Sequence, residues 1–221
     1  MTNDAPATTN MPAPSALRLG QSAPDFVSRS TQGTLRLSDF HGSWLLLLSH
    51  PGDFTPVCTS EFVAIAKAQS AFVALDCRLA AVSVDSLFSH LAWIRAIRDK
   101  FDVVIDFPII EDPTLEIGRA YGMVGADDPD ASSVRATYFL DPEGIVRATT
   151  CYPASVGRSV DEMLRTLAAL QRVHRGDALA PEGWRPGQDL LRVPTQSVDA
   201  VLAAADPAAW FYSPLPDEAG R

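Results

Sequence analysis

The sequence predicts an α/β fold in which a mixed central sheet is flanked by helices and followed by a small C-terminal arm. Two apolar runs of strand length, Trp44 to Ser49 and Leu79 to Val84, each precede a stretch with helical periodicity. Further along, two strand-like stretches are joined by the turn signal Asp141-Pro142-Glu143-Gly144, and a helical pattern over Ser159 to Val173 closes the region. Strand–helix–strand units that end in a hairpin and a helix build a sheet between helices.

Length and composition divide the chain into three parts. Its 221 residues, 47% hydrophobic and 20% charged, fit one globular domain with an appendage. We expect a flexible tail over residues 1–16, a folded domain over residues 17–175 and an arm over residues 176–221. The arm carries several prolines together with Trp184, Trp210 and Phe211, which makes it too apolar for a disordered tail. We therefore expect this arm to dock, and a second subunit is the expected partner.

Charge and cysteine content exclude several classes of function. The net charge of −9 predicts no general attraction to nucleic acid or to a membrane surface. Apolar runs such as Leu45 to Leu48 are far too short to span a bilayer, and the first residues lack the pattern of a secretory signal. Three widely spaced cysteines without a Cys-x-x-Cys pair predict neither a disulfide framework nor a zinc site. We expect a cytoplasmic protein without metal or cofactor.

Apolar spacing predicts the buried faces of the helices. The helix after the first strand is predicted to bury one row of side chains: Phe62, Ile65, Phe72 and Leu75. Ser86 is a candidate N-cap for the next helix, because its side chain can accept a hydrogen bond from a free backbone N–H. The core-facing residues of that helix are predicted to be Leu87, Leu91, Ile94 and Ile97.

The segment from His50 to Glu61 carries the strongest chemical signal. Thr55 suits the N-cap of a helix and Pro56 its first position, so that Cys58 becomes the third helical residue. Unpaired N–H groups and the helix dipole favour negative charge there, and the thiolate is the nucleophilic form of cysteine. Glu61 lies one turn further on the same face and would repel a thiolate unless a cation pairs with both.

An unreactive, buried cysteine is the alternative for an isolated Cys near a helix start. Here Pro51, Thr55 and Cys58 occur together in a Pro-x-x-x-Thr-x-x-Cys spacing, which is specific. The segment resembles the active-site loop of the peroxiredoxins, and His50-Pro51 resembles the one-Cys subfamily of the peroxiredoxin-six type. The likeness continues through Ser83-Val84-Asp85-Ser86, Arg135-Ala136-Thr137 and Gly157-Arg158 and covers about residues 19–216.

The resemblance implies a thiol peroxidase on a thioredoxin-like fold. Cys58 would attack the O–O bond of hydrogen peroxide or an organic hydroperoxide and become a sulfenic acid. Arg135 would reach its sulfur from the later hairpin, Thr55 would hydrogen-bond the sulfur or the peroxide, and Pro51 would shield the site from water.

Two further positions are assigned by the resemblance, and one of them has a plain alternative. Arg158 would organise the Glu61 side of the network. His50 matches a position for substrate contact, although it could merely satisfy loop carbonyls.

The remaining cysteines bear on how the sulfenic acid is reduced. Neither Cys77 nor Cys151 falls at the resolving position of two-Cys members, so the resemblance implies a one-Cys mechanism with an external thiol donor. Sequence spacing alone leaves a disulfide from Cys58 to either residue open. The resemblance also implies a homodimer, and rings of dimers occur in the family.

Two other classes of function are weighed against the peroxidase. A redox-sensing or holdase-type assembly protein on the same fold would oxidise once and would not turn over with a thiol. A cysteine hydrolase would need a general base beside the thiol. Only His50 is near in sequence, and no Cys-His-Asn arrangement is legible, so the hydrolase is disfavoured.

Overall fold

A computed structural model describes residues 17–125 and 134–217 of the chain, so the tail expected over residues 1–16 lies outside the described residues. The chain divides into two compact units. The first comprises the chain up to Lys67 together with Asp76–Arg158, and the second comprises Ala68–Leu75 together with the chain from Ser159 onward. The expected boundary between a main domain and an arm at residues 175 and 176 stays a prediction.

The described strands and helices follow one another along the chain as β1 (Val27–Ser30), β2 (Gly33–Arg36), a 3-10 helix (Leu37–Phe40), β3 (Trp44–Ser49), α1 (Pro56–Lys67), α2 (Gln69–Ala74), β4 (Cys77–Ser83), α3 (Leu87–Phe101), β5 (Ile109–Glu111), α4 (Glu116–Ala120), β6 (Arg135–Leu140), β7 (Val146–Tyr152), α5 (Val160–Val173), β8 (Ala178–Leu179), β9 (Leu190–Arg192), α6 (Val198–Ala203) and β10 (Pro214–Leu215).

The first unit is built on a mixed seven-stranded sheet with the strand order β2-β1-β5-β4-β3-β6-β7. β3 pairs in parallel with β4 and antiparallel with β6, and β4 pairs in parallel with β5. The predicted α/β class and mixed sheet are therefore confirmed. β3 has the predicted bounds and all six of its residues are buried, whereas β4 begins at Cys77, before the predicted start at Leu79.

Alternate residues of the central strands build two buried faces, as the period of a strand requires. One face carries Leu45 and Leu47 of β3 with Tyr138 of β6, and these side chains share a core cluster with Tyr121. β6 and β7 form the predicted hairpin, and Gly144 of its turn has a φ of +76°. A Cβ atom there would lie 2.9 Å from the His41 ring, so the turn needs glycine for space as well as for conformation.

The helix predicted after β3 is wrong in one respect, because two helices occupy its span. α1 buries Phe62 and Ile65, whereas Phe72 is buried in α2 and Leu75 is only the cap residue at the end of α2. Ala68 separates the two helices with φ −95° and ψ 3°, outside the α-helical region. The four predicted residues therefore do not form one continuous apolar face.

The buried face of α3 also differs from the prediction. The Ser86 side chain accepts the N–H of Ser89, which confirms the predicted N-cap. The fully buried residues are His90, Trp93 and Ile97, whereas Leu91 is 45% exposed. The physical reason is that the two rings have hydrogen-bond partners in the interior of this unit. His90 bonds to Asp53 and Trp93 bonds to Thr59, so both rings can be buried on the inner face of the helix.

The second unit has its own small core. Ala168 of α5 packs with Trp184 and Leu190, and β8, β9 and β10 form an antiparallel sheet in the order β10-β9-β8. Ser159 caps α5 by accepting the N–H of Glu162, so this helix begins at Val160, one residue after its predicted start. In the part of the chain that the structure describes, no helix has both the length and the apolarity that a membrane crossing needs.

Candidate active site

The site is formed where β3 ends and α1 begins. The loop from His50 to Thr55 joins the two elements, and α1 begins at Pro56, which makes Cys58 its third residue as predicted. The Cys58 side chain is fully buried. The first backbone N–H groups of a helix have no partner within the helix, so this position favours a negative charge on sulfur.

Arg135, the first residue of β6, brings a positive charge to this sulfur. Its Nη1 atom lies 3.2 Å from Cys58 Sγ and 2.9 Å from Glu61 Oε2. Its Nε and Nη2 atoms both donate to the carbonyl oxygen of Ala154, at 3.0 and 2.7 Å. The guanidinium is therefore fixed on both edges and is only 2% exposed. The structure thus brings together the cation, the sulfur and the carboxylate that the sequence predicted to need one another.

Arg158 holds the other side of Glu61. Its backbone N–H and Nε donate to Glu61 Oε1 at 2.6 and 2.9 Å, and its Nη2 donates to Oε2 at 3.0 Å. Its Nη1 donates to the carbonyl oxygen of Ala136 at 2.6 Å. Burial alone would raise the pKa of Glu61, but the hydrogen bonds and charge of Arg158, together with the charge of Arg135, hold that pKa below its usual value.

The charges of Arg135, Arg158 and Glu61 around Cys58 do not cancel. Two guanidinium groups supply two positive charges, and the ionised Glu61 carboxylate neutralises one of them. One positive charge is left, on the arginine that contacts Cys58 Sγ. The positive and negative charges of the site therefore cancel when Cys58 is a thiolate. The geometry thus suits the nucleophilic form of the cysteine.

Thr55 is placed one residue before α1, and its hydroxyl donates to the carbonyl oxygen of Gly52 at 2.9 Å. A hydroxyl has one proton and two acceptor lone pairs. Because the proton is used by Gly52, the lone pairs of the Thr55 oxygen can accept a hydrogen bond from another partner. Pro51 is half-buried in the same loop, directly after His50.

His50 belongs to a second, fully buried group of polar side chains. Its Nε2 lies 3.0 Å from Asp53 Oδ1, and His90 Nδ1 lies 2.8 Å from Asp53 Oδ2. Burial lowers the pKa of His50, and its hydrogen bond with Asp53 only partly offsets this. Burial would raise the pKa of Asp53, but the hydrogen bonds from the two imidazoles outweigh burial and lower that pKa strongly. An ionised Asp53 thus accepts one N–H from each ring.

The spacing of the same three residues would also suit a metal ion. The ligand atoms of His50, Asp53 and His90 lie within 4.8 Å of one another. The two ring nitrogens that face Asp53 are already engaged in hydrogen bonds with it, and these bonds account for the geometry without an ion.

Aromatic rings surround His50. Trp93 stacks on it with a centroid distance of 5.3 Å, and Phe62 meets it edge-on at 4.8 Å. Trp93 Nε1 donates to Thr59 Oγ1 at 3.2 Å, so the ring is tied to the residue that follows Cys58. Sequence reasoning gave Asp53 no role. The signal for Asp53 was its place in the loop, three residues after His50.

Comparisons with known proteins agree with this geometry. The model of the AhpC/TSA family matches residues 19–149. Peroxiredoxin 2 of Thermoplasma acidophilum is 43% identical over 184 residues, which cover 83% of this chain and 92% of that protein.

Two solved structures have a similar fold. A yeast mitochondrial 1-Cys peroxiredoxin, studied for its thiol resolving mechanism through the glutathione and thioredoxin systems, is 34% identical, with a TM-score of 0.77 over 85% of this chain and 92% of that one. A mutant of peroxiredoxin 6 from Arenicola marina is 30% identical, with a TM-score of 0.79 over 91% of this chain and 99% of that one.

A thioredoxin-like sheet that carries a buried cysteine at a helix start, with an arginine on its sulfur, defines a thiol-dependent peroxidase. The chain belongs to the peroxiredoxins, the AhpC/TSA family. The family expected from the loop sequence is thereby confirmed. As a peroxiredoxin, the protein reduces peroxides with electrons from thiols.

Proposed function

We propose that this peroxiredoxin works by a one-Cys mechanism, in which Cys58 reduces hydrogen peroxide and small organic hydroperoxides and an external thiol reduces the resulting sulfenic acid. The observation that carries the proposal is the 3.2 Å contact between Arg135 Nη1 and Cys58 Sγ, in a site where Arg135 is one of two arginines and Glu61 neutralises only one charge.

In the first step the Cys58 thiolate attacks one peroxide oxygen. An S–O bond forms as the O–O bond breaks, and the leaving oxygen takes a proton to become water or an alcohol. Negative charge moves from sulfur towards the leaving oxygen, and the fixed guanidinium of Arg135 stabilises it throughout. A thiol then attacks the sulfenic sulfur and releases water, and a second thiol reduces the mixed disulfide back to Cys58.

Thr55 orients the substrate in this proposal. A peroxide carries O–H groups that need an acceptor, and the Thr55 oxygen has free lone pairs because its proton goes to Gly52. Holding the peroxide at a fixed angle to the sulfur removes much of the entropy cost of a two-molecule reaction. Pro51 limits the access of water to the loop.

Arg158 and His50 support the reacting groups. Arg158 donates to both oxygens of Glu61, and Arg135 shares only Oε2 with it while its Nη1 also faces the sulfur. His50 is bonded to Asp53 and lined by aromatic rings, so its proposed contribution is to the wall of the site, and direct contact with the peroxide stays a prediction.

Cys151 is poorly placed to resolve the sulfenic acid. It pairs with Ala136 across the β6–β7 ladder, and directly paired residues point to the same face of a sheet. Arg135 is the neighbour of Ala136 and therefore points to the opposite face, towards Cys58. The sheet thus separates the two sulfurs. Burial also raises the pKa of Cys151, although Arg158 opposes this.

Cys77 lies at the wrong end of the sheet. It pairs with Trp44 at the start of the parallel strands β3 and β4, whereas Cys58 follows the end of β3. β3 has six residues, and the five steps between them, at about 3.3 Å each, put its two ends about 17 Å apart. Burial raises the pKa of Cys77 to about 12, so its thiolate form is scarce at neutral pH. Both observations favour an external reductant.

Mass spectrometry after one equivalent of hydrogen peroxide tests the mechanism. Without thiol, we expect Cys58 to gain one oxygen atom, both in the native protein and in the double variant Cys77→Ser/Cys151→Ser. With a thiol, both proteins should turn over, and Cys58→Ser should not. An intramolecular disulfide, or loss of turnover in the double variant, would contradict the one-Cys mechanism. A single slow oxidation without turnover would instead favour a redox sensor.

The proposal extends to partners and location. All three cysteines are free thiols, which agrees with a reducing cytoplasm and with a small or protein thiol as electron donor. A homodimer is proposed because the second unit exposes Phe211 and Tyr212 at 56% and 58%. Recovery of the protein from an oxidising compartment on cell fractionation would contradict the cytoplasmic location.

A further inference from the structure

One peptide group in the active-site loop is held at both ends. The N–H of Asp53 donates to Asp85 Oδ2 at 2.8 Å, and the carbonyl oxygen of Gly52 accepts the Thr55 hydroxyl at 2.9 Å. The two groups belong to the same Gly52–Asp53 peptide unit, which is planar. The direction of its N–H therefore sets the direction of its C=O, and the C=O in turn sets the rotation of the Thr55 hydroxyl.

Asp85 is itself fixed by the strand end that precedes it. The Ser83 hydroxyl donates to Asp85 Oδ2 at 3.0 Å, and the Asp85 N–H donates back to Ser83 Oγ at 3.2 Å. Ser83 is the last residue of β4 and is buried. The carboxylate that receives the Asp53 N–H is thus attached to the rigid sheet of the same unit.

Asp53 fixes the other side of this peptide. Its carboxylate, with a side chain only 1% exposed, accepts hydrogen bonds from His50 within the loop and from His90 on α3. Buried carboxylates that accept two N–H bonds are strongly held. The backbone and the side chain of Asp53 are therefore anchored to different elements, namely the end of β4 and the first half of α3.

The next residue shows that the loop conformation is imposed on the chain. Phe54 has a φ of +56°, in the left-handed region that is sterically unfavourable for residues other than glycine. It is 59% exposed, so burial of its ring does not explain this conformation. A strained residue between two anchored ones, Asp53 and Thr55, indicates that the loop around it is over-determined.

We propose that Asp53 and Asp85 are positioning residues that aim the Thr55 hydroxyl at the peroxide through the Gly52–Asp53 peptide group. Neither carboxylate touches the reacting atoms in this account. Their effect is to keep the Thr55 proton on Gly52 and its lone pairs towards the substrate. The proposal rests on the role given above to Thr55, and the experiment below separates a failure of the one from a failure of the other.

Asp85→Ala removes the acceptor for the Asp53 N–H and should lower the rate constant of Cys58 with hydrogen peroxide by about 100-fold, the size of effect expected when a substrate is misplaced by about 1 Å. Asp85→Asn keeps an acceptor oxygen and should recover most of that loss. Asp99→Asn, an exposed carboxylate on α3, is the matched control and should leave the rate unchanged.

Two readouts distinguish positioning from a general loosening of the fold. Alkylation of Cys58 by iodoacetamide also requires a thiolate but uses no acceptor for a peroxide proton, so Asp85→Ala should leave that rate nearly unchanged. In a Thr55→Val background, Asp85→Ala should cause little further loss of peroxide reactivity, because residues that act through one group are not additive. Asp53→Asn, which keeps the side-chain shape, should behave like Asp85→Ala.

The outcomes are exclusive. Parallel changes in alkylation and peroxide reduction, or losses that add in the Thr55→Val background, would overturn the positioning role and leave that of Thr55 intact. A normal rate for Thr55→Val alone would overturn the role of Thr55 and the present proposal with it. Should Asp85→Ala fail to fold, the same cycle with Asp53→Asn and Thr55→Val decides the question.

Discussion

At the scale of residues, the central feature is that Glu61 is shared between two arginines. Arg158 donates to both of its oxygens and Arg135 to one of them. Cationic donors therefore offset the negative charge that would otherwise repel the Cys58 sulfur. Arg135 in turn divides its donors between Cys58, Glu61 and the Ala154 carbonyl. Glu61 therefore helps to hold the Arg135 guanidinium in place, and its charge does not oppose that of the thiolate.

The free energy of unfolding of a Glu61→Gln variant tests this role of Glu61. Removing one partner of a buried ion pair costs about 3–5 kcal/mol, so the free energy of unfolding at pH 7 should fall by about that amount. The pKa of Glu61 is lowered in the folded protein, so its contribution is complete above its unfolded pKa of about 4.3 and is lost as the pH falls through the folded value.

Urea unfolding of native and Glu61→Gln protein between pH 7 and pH 3 measures this contribution. The difference between the two free energies should be constant above about pH 5 and should shrink at lower pH. Glu162→Gln, an exposed residue on α5, is the matched control and should show a small difference at every pH. A difference for Glu61 that grows on acidification would contradict the assigned charge.

Which site residues could be predicted depends on how their chemistry is encoded. Cys58, Thr55 and Pro51 lie in one contiguous motif, and its specific spacing carries the resemblance that assigns their roles. The contacts of Glu61 with Arg135 and Arg158 join residues 74 and 97 positions apart, which no local pattern reveals; only resemblance to a family supplied them. Asp53 was missed because a carboxylate in a loop normally points to solvent, and its buried partner His90 lies on another element.

At the scale of elements, the strand–loop–helix unit of β3 and α1 follows closely from the sequence. A continuous apolar run predicted the bounds of β3, and α1 begins at Pro56 as predicted, although the Thr55 hydroxyl donates to Gly52 and caps no N–H of the helix among the described contacts. The helix faces were harder to predict. Periodicity predicted that Leu91 faces the core on α3. Instead His90 and Trp93 are buried on that helix, because their polar atoms form hydrogen bonds in the interior. Apolar spacing cannot anticipate such hydrogen bonds, because they depend on which loop packs above the helix.

At the scale of the whole molecule, the mixed sheet was predictable from the order of its elements, whereas the division into units was not. The short α2 belongs with α5 and the C-terminal strands, and no break in composition marks this. In the second unit Trp210 and Phe211 form a T-shaped pair with centroids 5.2 Å apart, and Phe211 and Tyr212 are largely exposed. Exposed aromatic clusters of this kind mark interaction surfaces.

Sedimentation equilibrium tests the homodimer proposed from this cluster. The native protein should have the mass of two chains or a multiple of it, and Phe211→Ser/Tyr212→Ser should lower the mass towards one chain at micromolar concentration, because apolar area is removed from the interface. Leu19→Ser, which also replaces an exposed apolar side chain, is the control. A single-chain mass for the native protein would contradict the dimer.

The rate constant of Cys58 with hydrogen peroxide in Arg135 variants tests the account of the site most directly. Arg135→Gln should lower it by about 100- to 1000-fold, the loss typical for removing one preorganised donor, and Arg135→Lys should fall between, since it keeps the charge without the fork. Arg95→Gln, which alters an exposed arginine on α3, should react like the native protein. If folded Arg135→Gln protein reduced peroxide as fast as the native chain, the pairing of this guanidinium with the sulfur would not be the source of reactivity.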